Sequence, residues 1–198
     1  MGTIKIGSSK DKKGVTINPS IVLFNGNNVK KIMSGITEIW TPSKIWFNKG
    51  IFSNTDLFGT PKFVMQTHGI NNGNTYATDG YINLDYSMAG GGSGTDSMLY
   101  TNNRIPRGIY SKVIASFILS EKSGASQHEF RLSMRDSQTN QSHIDNSVYY
   151  TNPFNVSNEL QTQELDLTAY NSSNKDLYFC IGGGGNKAKI YNITFIPK

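Results

Sequence analysis

The residues best equipped for chemistry stand close together in the second half of the chain: Arg131, Arg135 and Asp136, then the pair Tyr149-Tyr150. Arginine and aspartate offer paired hydrogen bonds, and the flat face of a tyrosine ring packs against the C–H surface of a sugar. These five are the candidate contacts for a glycan. The same residues have a plainer use, in which the arginines pair with Glu129 or Asp136 on a solvated face and the two tyrosines straddle core and surface.

Catalysis has less to draw on. Glycoside hydrolysis needs two carboxyl groups facing each other across a cleft. Glu129, Asp136, Asp145 and Asp166 are eligible, but a β-rich chain of this size exposes as many on its surface. His68, His128 and His143 lack the spacing of a transition-metal site, and no Asp-rich loop suggests calcium. No Ser sits in a G-x-S-x-G elbow. Cys180, the only cysteine, lies in the apolar run 177–181 and reads as a buried thiol. The glycine-rich stretch 89–94 lacks the preceding strand, following helix and lysine of a phosphate cradle, so it reads as a flexible rim loop. The expectation is a protein that is not an enzyme, with no catalytic residue, metal or cofactor.

The formal charge of +5 is unevenly placed. Residues 1–50 hold eight Lys against Asp11 and Glu38, a net +6, and residues 51–198 carry −1. The basic part has no Arg, and its lysines fall at turns or on polar faces, where they discourage stray strand pairing. Neither a nucleic-acid partner nor a membrane is expected: no apolar run reaches spanning length, and none follows Met1 as a secretion signal would. Synthesis in a cytoplasm is the corresponding expectation.

The elements that must position these residues are strands. Only 36% of the chain is hydrophobic and 17% charged, the balance being rich in Asn, Ser, Thr and Gly, and long amphipathic helical windows are absent. Residues 110–119 read as a long apolar strand at a sheet centre. Residues 127–135 alternate, with His128, Phe130, Leu132 and Met134 on one face and Glu129, Arg131, Ser133 and Arg135 on the other. Strands are expected also at 63–67, 81–86, 97–101, 147–151, 160–167, 177–181 and 187–195. In the last, Ala188, Ile190, Asn192 and Thr194 alternate against Lys189, Tyr191, Ile193 and Phe195. Eight to ten strands with such spacing point to a jelly-roll-like β-sandwich over residues 51–198.

Residues 1–50 differ. Phe24-Asn25-Gly26 leads to Val29 and Ile32, and Met33-Ser34-Gly35 leads to Thr37 and Ile39, so the segment contains two successive hairpin-like units with turns ending in glycine. Units so small must stack on a neighbour, another domain or another chain. Phe24, Val29, Ile32, Ile39, Trp40 and Trp46 are therefore the expected assembly residues. The two tryptophans, the only ones in the chain, would fill gaps between packed hairpins or serve as a ligand platform.

The segment 29–40, VKKIMSGITEIW, together with Ile4-Lys5-Ile6-Gly7, resembles the N-terminal repeats of tail and other virion proteins of phages that infect Gram-positive bacteria. Those proteins open with a short I-K-I-G strand and contain V-x-x-I-x-x-G-x-x-x-I-W units. The resemblance covers about the first fifty residues and implies attachment to a virion, followed by a variable domain that decorates the particle or binds the host surface. Residues 165–195 are similar in strand pattern to the last strands of jelly-roll carbohydrate-binding modules. Together these imply a virion protein with an N-terminal attachment module (1–50) and an outward-facing sandwich (51–198). Its partners would be other virion proteins, sister chains in a homo-oligomer, and host-surface polysaccharide. A purely structural decoration protein with no glycan ligand is the alternative.

Overall fold

A computed structural model describes residues 23–24, 27–28, 32–34, 37–40, 42–65, 69–71, 77–78, 80–85, 96–122, 129–138 and 147–198. The chain divides into two compact units, Met1–Ser43 and Lys44–Lys198. Among the described residues the first holds two hairpins. Strands β1 (Leu23–Phe24) and β2 (Asn27–Asn28) pair Phe24 with Asn27 across two residues, as the Asn25-Gly26 turn leads one to expect. Strands β3 (Ile32–Ser34) and β4 (Thr37–Trp40) pair Ser34 with Thr37. Ser34 thus belongs to the strand and not to a Ser34-Gly35 turn. Ile32 pairs with Trp40 and Met33 with Glu38, so Ile39 is the extra residue of a bulge. Val29 lies outside the described residues.

The second unit runs through β5 (Lys44–Asn48), β6 (Ile51–Phe52), a one-turn helix α1 (Thr55–Phe58), β7 (Lys62–Met65), β8 (Gly69–Asn71), β9 (Ala77–Thr78), β10 (Tyr81–Asp85) and β11 (Asp96–Tyr100). It continues with β12 (Tyr110–Glu121), β13 (Arg131–Arg135), β14 (Ser147–Tyr150), β15 (Ser157–Asp166), a second one-turn helix α2 (Thr168–Asn171), β16 (Tyr178–Gly184) and β17 (Lys187–Pro197). All pairings are antiparallel. One sheet has the order β15-β12-β17-β10-β9, with β5 also on β17 and β6 on β5; the other has the order β14-β13-β16-β11-β7-β8. The chain crosses between sheets at nearly every connection from β10 onward, as in jelly-roll and Greek-key sandwiches. The fold is an all-β sandwich, as the strand pattern indicates.

One core joins the two sheets. Val113, Ala115, Phe117 and Leu119 of β12 face Leu132 and Met134 of β13 and Phe179 and Ile181 of β16 within it, all excluded from solvent. Phe195 stacks on Phe58 at 4.4 Å and meets Phe179 edge-on at 5.4 Å. Burying each such ring contributes on the order of 1.5–3 kcal/mol.

Two bulges decide which residues reach this core. In β17, Asn192 pairs with Ser116 and Ile190 with Phe117, so Tyr191 is an extra residue. The inward set is therefore Ala188 and Ile190 before the bulge and Ile193 and Phe195 after it, not one unbroken alternation across 187–195. In β5, Ile193 faces Phe47 and Thr194 faces Ile45, leaving Trp46 as the extra residue. That is how the consecutive residues Trp46 and Phe47 are both fully buried.

The β5 pairing also moves the boundary. The sandwich unit begins at Lys44 rather than at residue 51, because β5 completes an edge of β17 and Trp46 packs on Phe52, Phe58 and Phe179. Trp46 is a core residue of the sandwich and leaves no surface for assembly.

The alternation in β13 is present, with Leu132 and Met134 inward, but the opposite face is not solvated: Arg131 is 9% exposed, Ser133 3% and Arg135 3%. The outer face of the six-stranded sheet carries a second small cluster of Val64, Met98, Tyr100 and Cys180. Cys180 is a buried thiol, as expected, within this cluster and not in the main core. Close approach requires the glycines of β16. A Cβ on Gly183 would stand 2.6 Å from the Phe130 amide nitrogen and 2.7 Å from the Glu129 carbonyl carbon.

Gly183→Ala should cost at least about 2 kcal/mol in chemical unfolding, since backbone must move. Gly108→Ala should cost only about 1 kcal/mol: its φ of +81° is strained for alanine, but nothing lies within 4 Å. Trp46→Ala should lower stability by about 3–5 kcal/mol; a loss near zero would remove β5 from the sandwich.

Candidate functional site

The five expected glycan contacts separate into four places. Adjacent residues of a strand point to opposite faces, and Tyr149 and Tyr150 do so. Tyr149 packs against the core, its ring edge-on to Tyr170 at 5.8 Å. Tyr150 lies outward on the other face, paired with Ser133 and 45% exposed. Arg131 and Arg135 stand at opposite ends of β13, about 13 Å apart at roughly 3.3 Å per residue.

Arg135 sits in the buried outer cluster. Its Nη1 donates to the Tyr100 hydroxyl at 3.1 Å and its Nε to Ser133 Oγ at 3.3 Å. Burial pushes the Tyr100 hydroxyl pKa far up, so it stays a neutral phenol. Asp136, just past the strand, is bridged by Lys175 Nζ at 2.7 Å and Arg104 Nη1 at 3.4 Å. The hydrogen bond from Lys175, then that from Arg104, holds its carboxyl below the usual range. Arg104 in turn lies 4.7 Å over the Tyr178 ring. This network ties three stretches of chain together and leaves Asp136 committed.

Arg131 and Tyr150 do converge on a site. The Arg131 guanidinium lies 5.4 Å from the centre of the Tyr150 ring, a cation–π arrangement. Its Nη2 donates to Glu129 Oε2 at 3.1 Å and its Nη1 to the Thr151 carbonyl at 2.9 Å. Glu129 also meets Lys122 at 3.6 Å. Tyr150 is thereby fixed on one side by a cation that is itself paired, and its ring marks the rim of a groove of about 500 Å³.

That groove lies between the edge strands of the two sheets, where the loop 151–156 crosses from β14 to β15. The loop is pinned to β13: the Thr151 amide donates to the Leu132 carbonyl at 3.0 Å, and the Phe154 amide to the Phe130 carbonyl at 3.3 Å. Phe154 inserts beside Phe117, with centroids 5.2 Å apart, and with Leu165 forms an apolar floor. Above it stand Thr151, Asn152, Asn155, Gln161 and Gln163, while Glu164 and Asp166 border it along the strand with their side chains on the opposite face of β15. Gln161 and Gln163 share the strand parity of buried Leu165 and are only half-buried. Facing the four-residue strand β14 across the open edge, they remain wet where a closed sandwich would need apolar side chains. The Gln161 amide nitrogen donates to the Asn155 carbonyl at 3.0 Å and so sets the orientation of the side chain.

The carboxylates of Asp166 and Glu164, on the outer side of β15, are each engaged. Asp166 Oδ1 accepts from the Thr168 hydroxyl at 2.6 Å and the Thr168 amide at 2.7 Å, and these two bonds lower its pKa. Glu164 pairs with Lys112 at 2.7 Å. Among the described residues, no group of three or more His, Cys, Asp and Glu side chains is placed to hold a metal ion, and no helix is long and apolar enough to cross a membrane. His68, His128, His143, Asp145 and the stretch 89–94 lie outside the described residues.

Of the five contacts read from sequence, the groove includes Tyr150 directly and Arg131 through it. The amides Asn152, Asn155, Gln161 and Gln163 were missed; their one signal was glutamine at alternate positions of a closing strand. Fold and groove together define a class, an antiparallel β-sandwich with a polar cleft at one open edge. No protein-family model matches the chain and no curated protein matches it significantly.

Acid titration separates the role of Asp166. A carboxyl with a depressed folded pKa stabilises the fold above the unfolded value of about 3.9, and that contribution is lost as pH falls through the folded pKa. Wild type should therefore lose more melting temperature between about pH 5 and pH 2 than Asp166→Asn, which keeps an acceptor for Thr168 but cannot titrate. Parallel curves would contradict the assignment.

Proposed function

We propose that this chain is a virion protein of a phage infecting Gram-positive bacteria, attached to the particle or to sister chains through its N-terminal hairpins, and that the sandwich binds a glycan of the host surface. The observation that carries the binding reading is the groove beside Tyr150: an exposed ring braced by Arg131, four carboxamide side chains and an apolar floor. Sugars need this combination, a ring for their C–H face and planar polar groups for their hydroxyls. The virion reading rests on the resemblance of residues 4–7 and 29–40 to phage repeats.

Binding is favoured over catalysis by the state of the carboxylates. A glycosidase needs one carboxylic acid with a raised pKa opposite a second carboxylate. Asp166 is shifted the other way by Thr168, and Glu164 is tied to Lys112. The rival reading, a decoration domain that contacts only virion proteins, draws support from Leu160 and Val156, apolar residues 61% and 45% exposed along the same edge.

Labelled full chain, titrated against Gram-positive cells and purified wall polysaccharides, should bind saturably to at least one of them. Tyr150→Ala should weaken that binding about tenfold or more, a change of about 1.4 kcal/mol. Thr162→Ala should leave it within about twofold, because Thr162 bonds Ser116 on the opposite face of β15. A folded chain that binds none of them would favour the decoration role.

A further inference from the structure

We propose, resting on the glycan reading of the groove, that its ligand is an uncharged polysaccharide bearing hydroxyl and N-acetyl groups, and that phosphate-bearing anionic wall polymers are excluded. The chain as a whole is basic, at +5, yet among the described residues no Arg or Lys lines the groove, and the two acidic residues of its wall, Glu164 and Asp166, share the parity of Thr162 and turn their carboxylates to the opposite face of β15. A phosphodiester entering the groove would meet carboxamides and an apolar floor, with no cation to take up its charge.

Recognition of phosphate calls for Arg or Lys presented to the ligand. The cations that touch the groove's lining residues are already engaged. Lys112 Nζ lies 2.7 Å from Glu164 Oε2. Arg131 bonds Glu129 and the Thr151 carbonyl and supports the Tyr150 ring from beneath.

The uncharged groups fit the other class of polymer. Each carboxamide presents a donor and an acceptor in one plane, a match for neighbouring hydroxyls or for the amide of an N-acetyl group. Gln161, oriented by its bond to the Asn155 carbonyl, keeps its own carbonyl oxygen for a ligand. The Gln163 side chain makes no hydrogen bond among the described residues while lining the same wall. The floor of Phe154 and Leu165, 7% and 4% exposed, offers an apolar seat for an acetyl methyl.

The test titrates full chain calorimetrically with two uncharged probes, the pentamers of N-acetylglucosamine and of β-linked glucose, and one anionic probe, poly(glycerol phosphate). Binding is assigned to the groove where Tyr150→Ala and Gln163→Ala each weaken it about tenfold or more. The expected result is groove binding of an uncharged probe, strongest for the N-acetylated one. Its affinity should change less than about twofold between roughly 50 and 500 mM salt, since no ion pair is made with the ligand. Groove binding of poly(glycerol phosphate) would overturn the selectivity and leave the glycan reading standing. Failure of all three probes on a chain that unfolds cooperatively would overturn both.

Discussion

The ladder between β12 and β17 is the constraint from which the rest of the sandwich is built. It runs from Tyr110 opposite Pro197 to Glu121 opposite Lys187, and it places the two longest apolar strands side by side at the centre of a sheet. β17 has no free edge: one side is taken by β12, the other is divided between β10 along Ile82 to Asp85 and β5 along Lys44 to Asn48. A central strand must hold its register, because a slip by one residue would turn its core side chains to solvent. The bulge at Tyr191 is where register and composition are reconciled. It lets Ile190 and Ile193, three positions apart, face the same core.

Polarity follows from position in this frame. Near the β12–β17 axis, inward positions are filled by Val113, Phe117, Ile190 and Phe195. At the outer edge the same parity in β15 is filled by Gln161 and Gln163, because there the sheets no longer cover one another and water reaches between them. The groove is thus the unclosed end of the core. Its floor, Phe154 and Leu165, is the last apolar layer, and its walls are what a core becomes when the opposing strand, β14, is only four residues long.

Sequence made the strands legible and left the irregularities hidden. The segments 110–119, 160–167 and 187–195 carry strong two-residue alternation and appear as strands with extended ends. The bulges at Trp46 and Tyr191 add a single residue each, and nothing in residue type distinguishes an inserted tryptophan from a paired one. Hence Trp46 read as an assembly residue when it is a core residue. Arg131 and Arg135 read as solvated because alternation reports which face a residue shares, not whether that face is covered. The adjacent Tyr149 and Tyr150 were informative beyond their type, since pleating allows only one of them to face a ligand. The groove amides were the least visible, because glutamine on an edge strand looks the same whether it lines a cleft or an open surface.

The divided edge of β17 also dictates when the sandwich can form. β5, β10 and β12 are made well before residues 187–197, yet each depends on that strand for a pairing partner. During synthesis they must wait as incomplete sheets until it emerges, and loop closure from β5 to β17 spans nearly the whole unit. Assembly of this domain is therefore a late and long-range event, with the apolar strand 110–121 exposed in the interval, and a cell producing it must protect that strand from pairing with others.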